Sequence, residues 1–324
     1  MNAKKLSFGL VTGALALAGS AAVAADYPAK PVRLINGFAA GGPLELISRV
    51  IAGPLAERLG QPVVVESRPG ASGIIAAEAI AKSEPDGHTL GMFTGAHTTF
   101  PALGRKLPYD TVDSFQPVTS IVFYAFVVAV RADHQAKSMD DLLRIAKASP
   151  GRLNYGSAGN GTTSHLAGEL LKLSGGVDLV HVPYKGDAAS MTALLGGEIQ
   201  LSIATTVGIT PRIQAGTVRA LGITSPTRWR GLPDVPTLAE SGLQGFDART
   251  WAGVMGPKAM PAPVVERLNR EIQGIINLPE VKTKLEAIVG GEVRGNTPGE
   301  MRSMLSEQVA RWTKVVREAN IKSD

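Results

Sequence analysis

Ser164 and His165 stand side by side in this chain, Ser157 lies just upstream, and His97 falls in a separate loop. Serine with histidine is the pair that nucleophilic catalysis needs, so that chemistry comes first. Neighbours on a helix point roughly 100° apart, which keeps Ser164 and His165 from acting as nucleophile and base for each other. Pairing Ser157 with His165 or His97 is geometrically possible, but no acid stands ready as a third member. No Gly-x-Ser-x-Gly elbow occurs in the sequence. The five histidines (His88, His97, His134, His165 and His181) show no metal-ligand spacing. An enzyme is therefore not expected, and neither a metal nor a cofactor is called for.

The second chemistry is anion binding. Asn154-Tyr-Gly-Ser-Ala-Gly-Asn-Gly-Thr-Thr-Ser-His165 reads as a short strand, a glycine-rich loop and a helix start. Gly156, Gly159 and Gly161 permit positive φ and close approach of a ligand, while Thr162, Thr163 or Ser164 is a natural N-cap. Unpaired N–H groups at such a helix start favour an anion. The loop matches neither Gly-x-Gly-x-x-Gly nor the P-loop pattern, which rules out the usual nucleotide signatures. A similar unit precedes it: strand Val32–Gly37, turn Phe38-Ala-Ala-Gly-Gly-Pro43, helix Leu44–Leu59. Two such units imply two similar α/β halves, each presenting a helix N-terminus to a shared cleft.

Several elements must position these loops. Met1–Lys5 is basic, Leu6 to Ala18 is apolar, and Ala21–Ala25 is small, the order of a secretory signal peptide over residues 1–25. Cleavage after Ala24 or Ala25 fits equally well, and the apolar part is too short for a retained membrane span. Cysteine is absent, so no disulfide framework and no lipidated thiol is expected. The net charge of +5 falls to about +3 without Lys4 and Lys5, and only 5% of residues are aromatic; nucleic acid is not an expected partner. The mature chain alternates strand and helix, which predicts an α/β fold with largely parallel sheets. Ser120–Arg131 is about twice the usual strand length and is expected to pass from one domain to the next, with Thr250–Gly256 as the return. Helices over 262–276, 279–288 and 298–319 need a sheet to cover, and the first domain's is expected. The boundaries are 26–124 plus 246–324 for domain 1 and 125–245 for domain 2.

Many short motifs then come in a recognisable order. They include Tyr27-Pro-Ala-Lys-Pro-Val-Arg-Leu-Ile35, Phe38-Ala-Ala-Gly-Gly42, Gly60-Gln-Pro-Val-Val-Val-Glu66 and Leu107-Pro-Tyr-Asp110. Gly151-Arg-Leu-Asn-Tyr-Gly-Ser157, His165-Leu-Ala-Gly-Glu169 and Val180-His-Val-Pro-Tyr-Lys-Gly186 follow, then Leu232-Pro-Asp-Val-Pro-Thr237. Across essentially all of the mature chain this resembles the substrate-binding proteins of tripartite tricarboxylate transporters, the Bug family. The resemblance implies a two-lobed periplasmic-binding-protein fold, type II-like, in which two α/β domains joined by crossover hinge strands close on a ligand. It implies a monomer in the periplasm that captures a small carboxylate and delivers it to large and small membrane permease subunits. A ligand-sensing partner of a membrane receptor would use the same pocket.

In the family pattern, the Phe38–Gly42 and Ser157–His165 loops grip one carboxylate. The residues that resemblance and reading assign to the ligand are Phe38, Ala40, Gly41, Gly42, Thr94, His97 and Phe100. From the second half come Ser157, Gly159, Gly161, Thr162, His165, Tyr184 and Thr205. Lys185 is read as a solvated loop lysine. Three departures concern the distal end of the ligand. Gly41-Gly-Pro-Leu-Glu45 replaces the usual Gly-Gly-Gly-Thr-Asp, Phe100 and Gly104 replace Asn and Tyr, and Ala204-Thr205 replaces Asp-Asn. Fewer polar partners and one more ring favour an aromatic mono- or dicarboxylate, with aliphatic di- and tricarboxylates next and acidic amino acids last.

Overall fold

The computed structural model describes residues 27–318 and residue 321. The leader and both candidate cleavage sites lie outside the described residues. Two mixed sheets form the frame, each flanked by helices.

The first sheet begins with β1 (Val32–Asn36), β2 (Val63–Ser67) and β3 (Thr89–Thr94), with β1 parallel to both others. The connecting helix α1 (Pro43–Leu59) starts at an extended Gly42, has Pro at its first turn, and ends at Gly60 with φ 73°. Leu44, Ile47, Ile51, Leu55 and Leu59 recur at helical spacing and are buried on the sheet. Helix α2 (Ile74–Ala81) covers the opposite face, and the short α3 (Ala96–Thr99) follows β3 directly.

The long β-rich run is divided. It forms β4 (Phe115–Tyr124) in the first sheet and β5 (Phe126–Arg131) in the second, with Ala125 between them. The second sheet adds β6 (Leu153–Ser157), β7 (Leu179–Pro183), β8 (Leu201–Thr205) and β9 (Val218–Ile223), in the order β7-β6-β8-β5-β9. Its helices are α4 (Met139–Ala148), α5 (Thr163–Gly175), α6 (Asp187–Gly196) and α7 (Thr206–Gln214). Strand β10 (Thr250–Pro257) returns to the first sheet between β3 and β4.

The expectation of largely parallel sheets needs correcting. Strand β5 is antiparallel to both β8 and β9, and β10 is antiparallel to both β3 and β4. Strands that cross between the sheets enter each one against the direction set by its strand–helix–strand units.

Helices α8 (Ala262–Ile276) and α9 (Pro279–Val289) cover the first sheet, and β11 (Gly291–Val293) edges it beside β4. Helix α10 (Pro298–Glu318) does more than the sequence indicated. Met301 and Leu305 enter a core cluster of the first sheet, while Trp312 and Val316 pack into the core of the second.

Candidate functional site

A cavity of about 370 Å³ lies between the two sheets. Four helices of eight residues or more begin in its wall: α1 at Gly42–Leu44, α5 at Thr162–Ser164, α6 at Gly186–Ala188 and α7 at Thr205–Gly208. Each follows a strand through a short turn, so the sheets aim these helix starts at one space. Four positive dipole ends and their first-turn N–H groups suit the cavity to an anion. Lys185 and Arg212 add two cationic side chains to the wall. The remainder is apolar or aromatic, with Phe38, Tyr124, Phe126 and Val207 prominent.

The two glycine loops differ in what they have left to offer. In the first, the Gly41 N–H donates to Glu45 Oε2 at 2.5 Å, and Arg49 pairs with Glu45 Oε1 at 2.6 Å. The Gly41 amide, then Arg49, holds the Glu45 carboxyl below the usual carboxylate range. That loop therefore carries an anion of its own. In the second loop, Ser157 Oγ accepts from Gly159 N–H at 3.1 Å and Ser164 Oγ from Ala158 N–H at 3.2 Å. His165 Nδ1 accepts from Gly161 N–H at 3.2 Å, and Thr162 Oγ1 caps α5 by accepting from His165 N–H at 3.4 Å. The first-turn amides of Thr163 and Ser164 have no carbonyl within the helix to bond, and both residues line the cavity.

Of the residues singled out from sequence, Phe38, Ala40, Gly41, Gly42, Thr94, Thr162 and Thr205 stand in the cavity wall. Seven others stand elsewhere. Gly159 and Gly161 lie where the lobes touch: a Cβ on Gly161 would come 2.9 Å from the Phe100 ring, and one on Gly159 3.0 Å from Ser72 Oγ. Around them Ser72 Oγ donates to Asn160 O at 3.2 Å, Thr163 Oγ1 to Thr250 Oγ1 at 3.3 Å, and Thr99 Oγ1 to Gly161 O. Phe100 is buried against that contact and faces a separate gap of about 30 Å³. Tyr184 packs beside the second sheet's core.

The remaining three hold the frame. His97 is enclosed by Phe93, Tyr109 and Phe115 and donates from Nε2 to Thr111 O at 2.8 Å; burial pushes it down to about 4. His165 stacks on His181 with ring centroids 4.0 Å apart. Ser157 Oγ lies 2.7 Å from His181 Nε2, a pairing the sequence reading did not consider. Ser157 is wholly buried, neither residue lines the cavity, and burial pushes His181 down to about 3. The pair braces the loop.

Sequence reasoning missed Lys185, Asp187 and Arg212. Asp187 Oδ2 accepts from the Thr205 N–H at 3.0 Å and from Thr205 Oγ1 at 2.5 Å. Its Oδ1 is closed to solvent and has no hydrogen-bond partner among the described residues. Burial raises its carboxyl above the usual range. The available signal was an acid in the first turn after Lys185-Gly186. Arg212 is hard to see in the sequence because a proline usually marks a helix start, whereas α7 starts at Thr206 and carries Pro211 inside it. The Arg212 guanidinium folds back to Gly208 O at 2.8 Å.

Residues 47–321 match the family described as the tripartite tricarboxylate transporter family receptor. In sequence the chain is similar to protein BugT of Bordetella pertussis, 35% identical over 95% of each chain. In structure it is similar to R. palustris Rpa4515, solved with adipate, with a TM-score of 0.88 and 34% identity over 92% of this chain and 99% of that one. It is also similar to MatC of Rhodopseudomonas palustris, solved with malate, with a TM-score of 0.83 and 30% identity over 90% of this chain and all of the other, 100%.

Proposed function

The chain belongs to the tripartite tricarboxylate transporter receptor family, and we propose that it captures a small carboxylate between its lobes for such a transporter. It is a solute-binding protein rather than an enzyme, as its family and its structural neighbours are. The family is periplasmic, and among the described residues no helix is long and apolar enough to cross a membrane. Export through the residue 1–25 leader and hand-over to large and small permease subunits complete the proposal.

The observation that carries this reading is the convergence of four helix N-termini and two cationic side chains on one cavity. One ligand carboxylate sits at the Thr162–Ser164 helix start, where two amides remain and the loop brings no anion. The adipate- and malate-bound neighbours support a carboxylate as ligand class. An apolar or aromatic ligand body is favoured by Phe38, Tyr124 and Phe126; Phe100 and Gly104, which first suggested it, lie off the cavity. A thermal-shift screen of the mature protein against aliphatic and aromatic mono- and dicarboxylates tests the reading. A ligand at 100 times its Kd adds about 2.7 kcal/mol of stability. Stabilisation by sugars or neutral amides, and by no acid, would overturn it.

A further inference from the structure

Behind the cavity wall lies the gap of about 30 Å³, and the carboxylate grip does not account for it. Phe38, Leu44, Thr94 and Ala96 line both the cavity and the gap, so they form the wall between the two. Three of the four are fixed or short. Leu44 belongs to the first sheet's core, the Thr94 hydroxyl is hydrogen-bonded to Thr250 Oγ1 at 3.2 Å, and Ala96 ends at its Cβ. Phe38 is half-buried, and its ring is the bulk of the shared wall.

The backbone under that ring is pinned. Phe38 N–H donates to Asn36 Oδ1 at 3.2 Å, and the buried Asn36 is tied in turn to Ser67 Oγ at 3.1 Å. The ring reaches Gly73, which also lines the gap: a Cβ built there would stand 3.5 Å from Phe38 Cε2, an ordinary contact. Beyond the ring the gap is apolar, with Ala76, Ala77, Ile80, Phe93 and Phe100 in its wall. Its polar side chains are committed elsewhere. Ser72 Oγ donates to Asn160 O, His97 Nε2 donates to Thr111 O, and the Tyr109 hydroxyl is closed to solvent. A space lined in this way has nothing to offer a charged or hydroxyl group and suits hydrocarbon.

Resting on the carboxylate reading above, we propose that Phe38 is a partition that sets the upper size of the ligand's apolar body. The gap behind it is a closed apolar extension of the site. In the wild type the ring ends the cavity at this wall, which excludes acids with longer tails. A smaller side chain at position 38 opens the gap to such a tail while the carboxylate stays at the Thr162–Ser164 helix start. Phe38 thus acts on the hydrocarbon end of the ligand rather than on its charge.

Titration calorimetry on the mature protein tests this with two series that differ in the alkyl tail alone, straight-chain alkanoates and 2-alkylsuccinates. The quantity read is the affinity for an acid two methylenes longer than the wild type's best, divided by the affinity for that best acid. Phe38→Ala is expected to raise this ratio tenfold or more, about what two newly buried methylenes supply. Phe38→Leu keeps an apolar side chain on the core while freeing the space beside Gly73. It should raise the ratio in the same direction, and it covers a folding defect in the Ala variant. Adding Ala77→Val to either refills the gap and returns the ratio to within threefold of the wild type. A crystal structure of Phe38→Leu with the longer acid should place the tail against Ala77 and Phe93, which covers a folding defect in the double variant. A ratio that neither Phe38 variant changes, one that Ala77→Val leaves raised, or a tail running out through the cleft overturns the partition alone. A wild type that binds neither series overturns the carboxylate reading and the partition with it.

Discussion

Glycine at 161 and glycine at 104 look alike by backbone angle, φ 76° and 66°, yet they do different work. A Cβ on Gly161 would meet the Phe100 ring at 2.9 Å across the lobe contact, whereas one on Gly104 would meet nothing within 4 Å. Gly161→Val should therefore weaken carboxylate binding tenfold or more by obstructing closure, with the protein still folded. Gly104→Ala should cost about 1–2 kcal/mol of backbone strain and leave affinity unchanged. Calorimetry and thermal melting on both variants check the pair. Gly161 was marked correctly from sequence for its freedom of φ, but its role as a contact point depends on Phe100, 61 residues away in the chain, which no local pattern reveals. The histidines carry a pH prediction. His97 is pushed down to about 4 and His181 to about 3, against an ordinary value of 6.5. The unfolded chain thus takes up protons near pH 6.5 that the folded one refuses, so stability is full above that value and is lost as pH falls towards 4. For His97 alone the loss approaches about 3 kcal/mol. Asp187, raised by burial, acts with the opposite sign. His97→Gln keeps a donor for Thr111 O and cannot titrate, so its melting temperature should fall less than the wild type's between pH 6.5 and 4. Equal slopes would show that His97 does not contribute.

At the scale of elements, periodicity was enough for α1, where five apolar residues at helical spacing met a proline start and a glycine stop. It failed for α7, because a proline inside a helix reads as a helix start; Pro211 sits mid-helix and the cap is Thr205, which hid Arg212 from the site. The residues 120–131 read as one strand because β-branched and aromatic residues run through Ala125 without a break. The interruption comes from pairing with two different sheets, a property of the whole fold. Helix α10 shows the same limit. Its apolar face is legible, but which sheet it covers is not, and it covers both. Trp312, 1% exposed in the second core, ties that helix across the lobes. Trp312→Ala should destabilise the protein by roughly 3–5 kcal/mol, measured by denaturant unfolding. A loss below about 1 kcal/mol would mean the end of α10 is not anchored there.

For the molecule as a whole, the lobes are joined where the chain crosses. Thr224 ties the two crossings together: its hydroxyl accepts from Phe126 N–H at 2.9 Å and donates to Ala248 O at 2.9 Å. Across the cleft, among the described residues, the Ser72, Thr99, Thr163 and Thr206 hydroxyls bridge the lobes, the last donating to Val289 O. Few polar bonds at the mouth and continuous backbone at the joint suit rigid-body closure on a ligand. The measurement that bears most directly on carboxylate capture is a crystal structure with the tightest-binding acid of the panel. The expected result places a ligand carboxylate inside the cavity, about 2.7–3.2 Å from the Thr163 and Ser164 amides. A ligand bound outside the cavity, or an acid held without contact to that helix start, would contradict it.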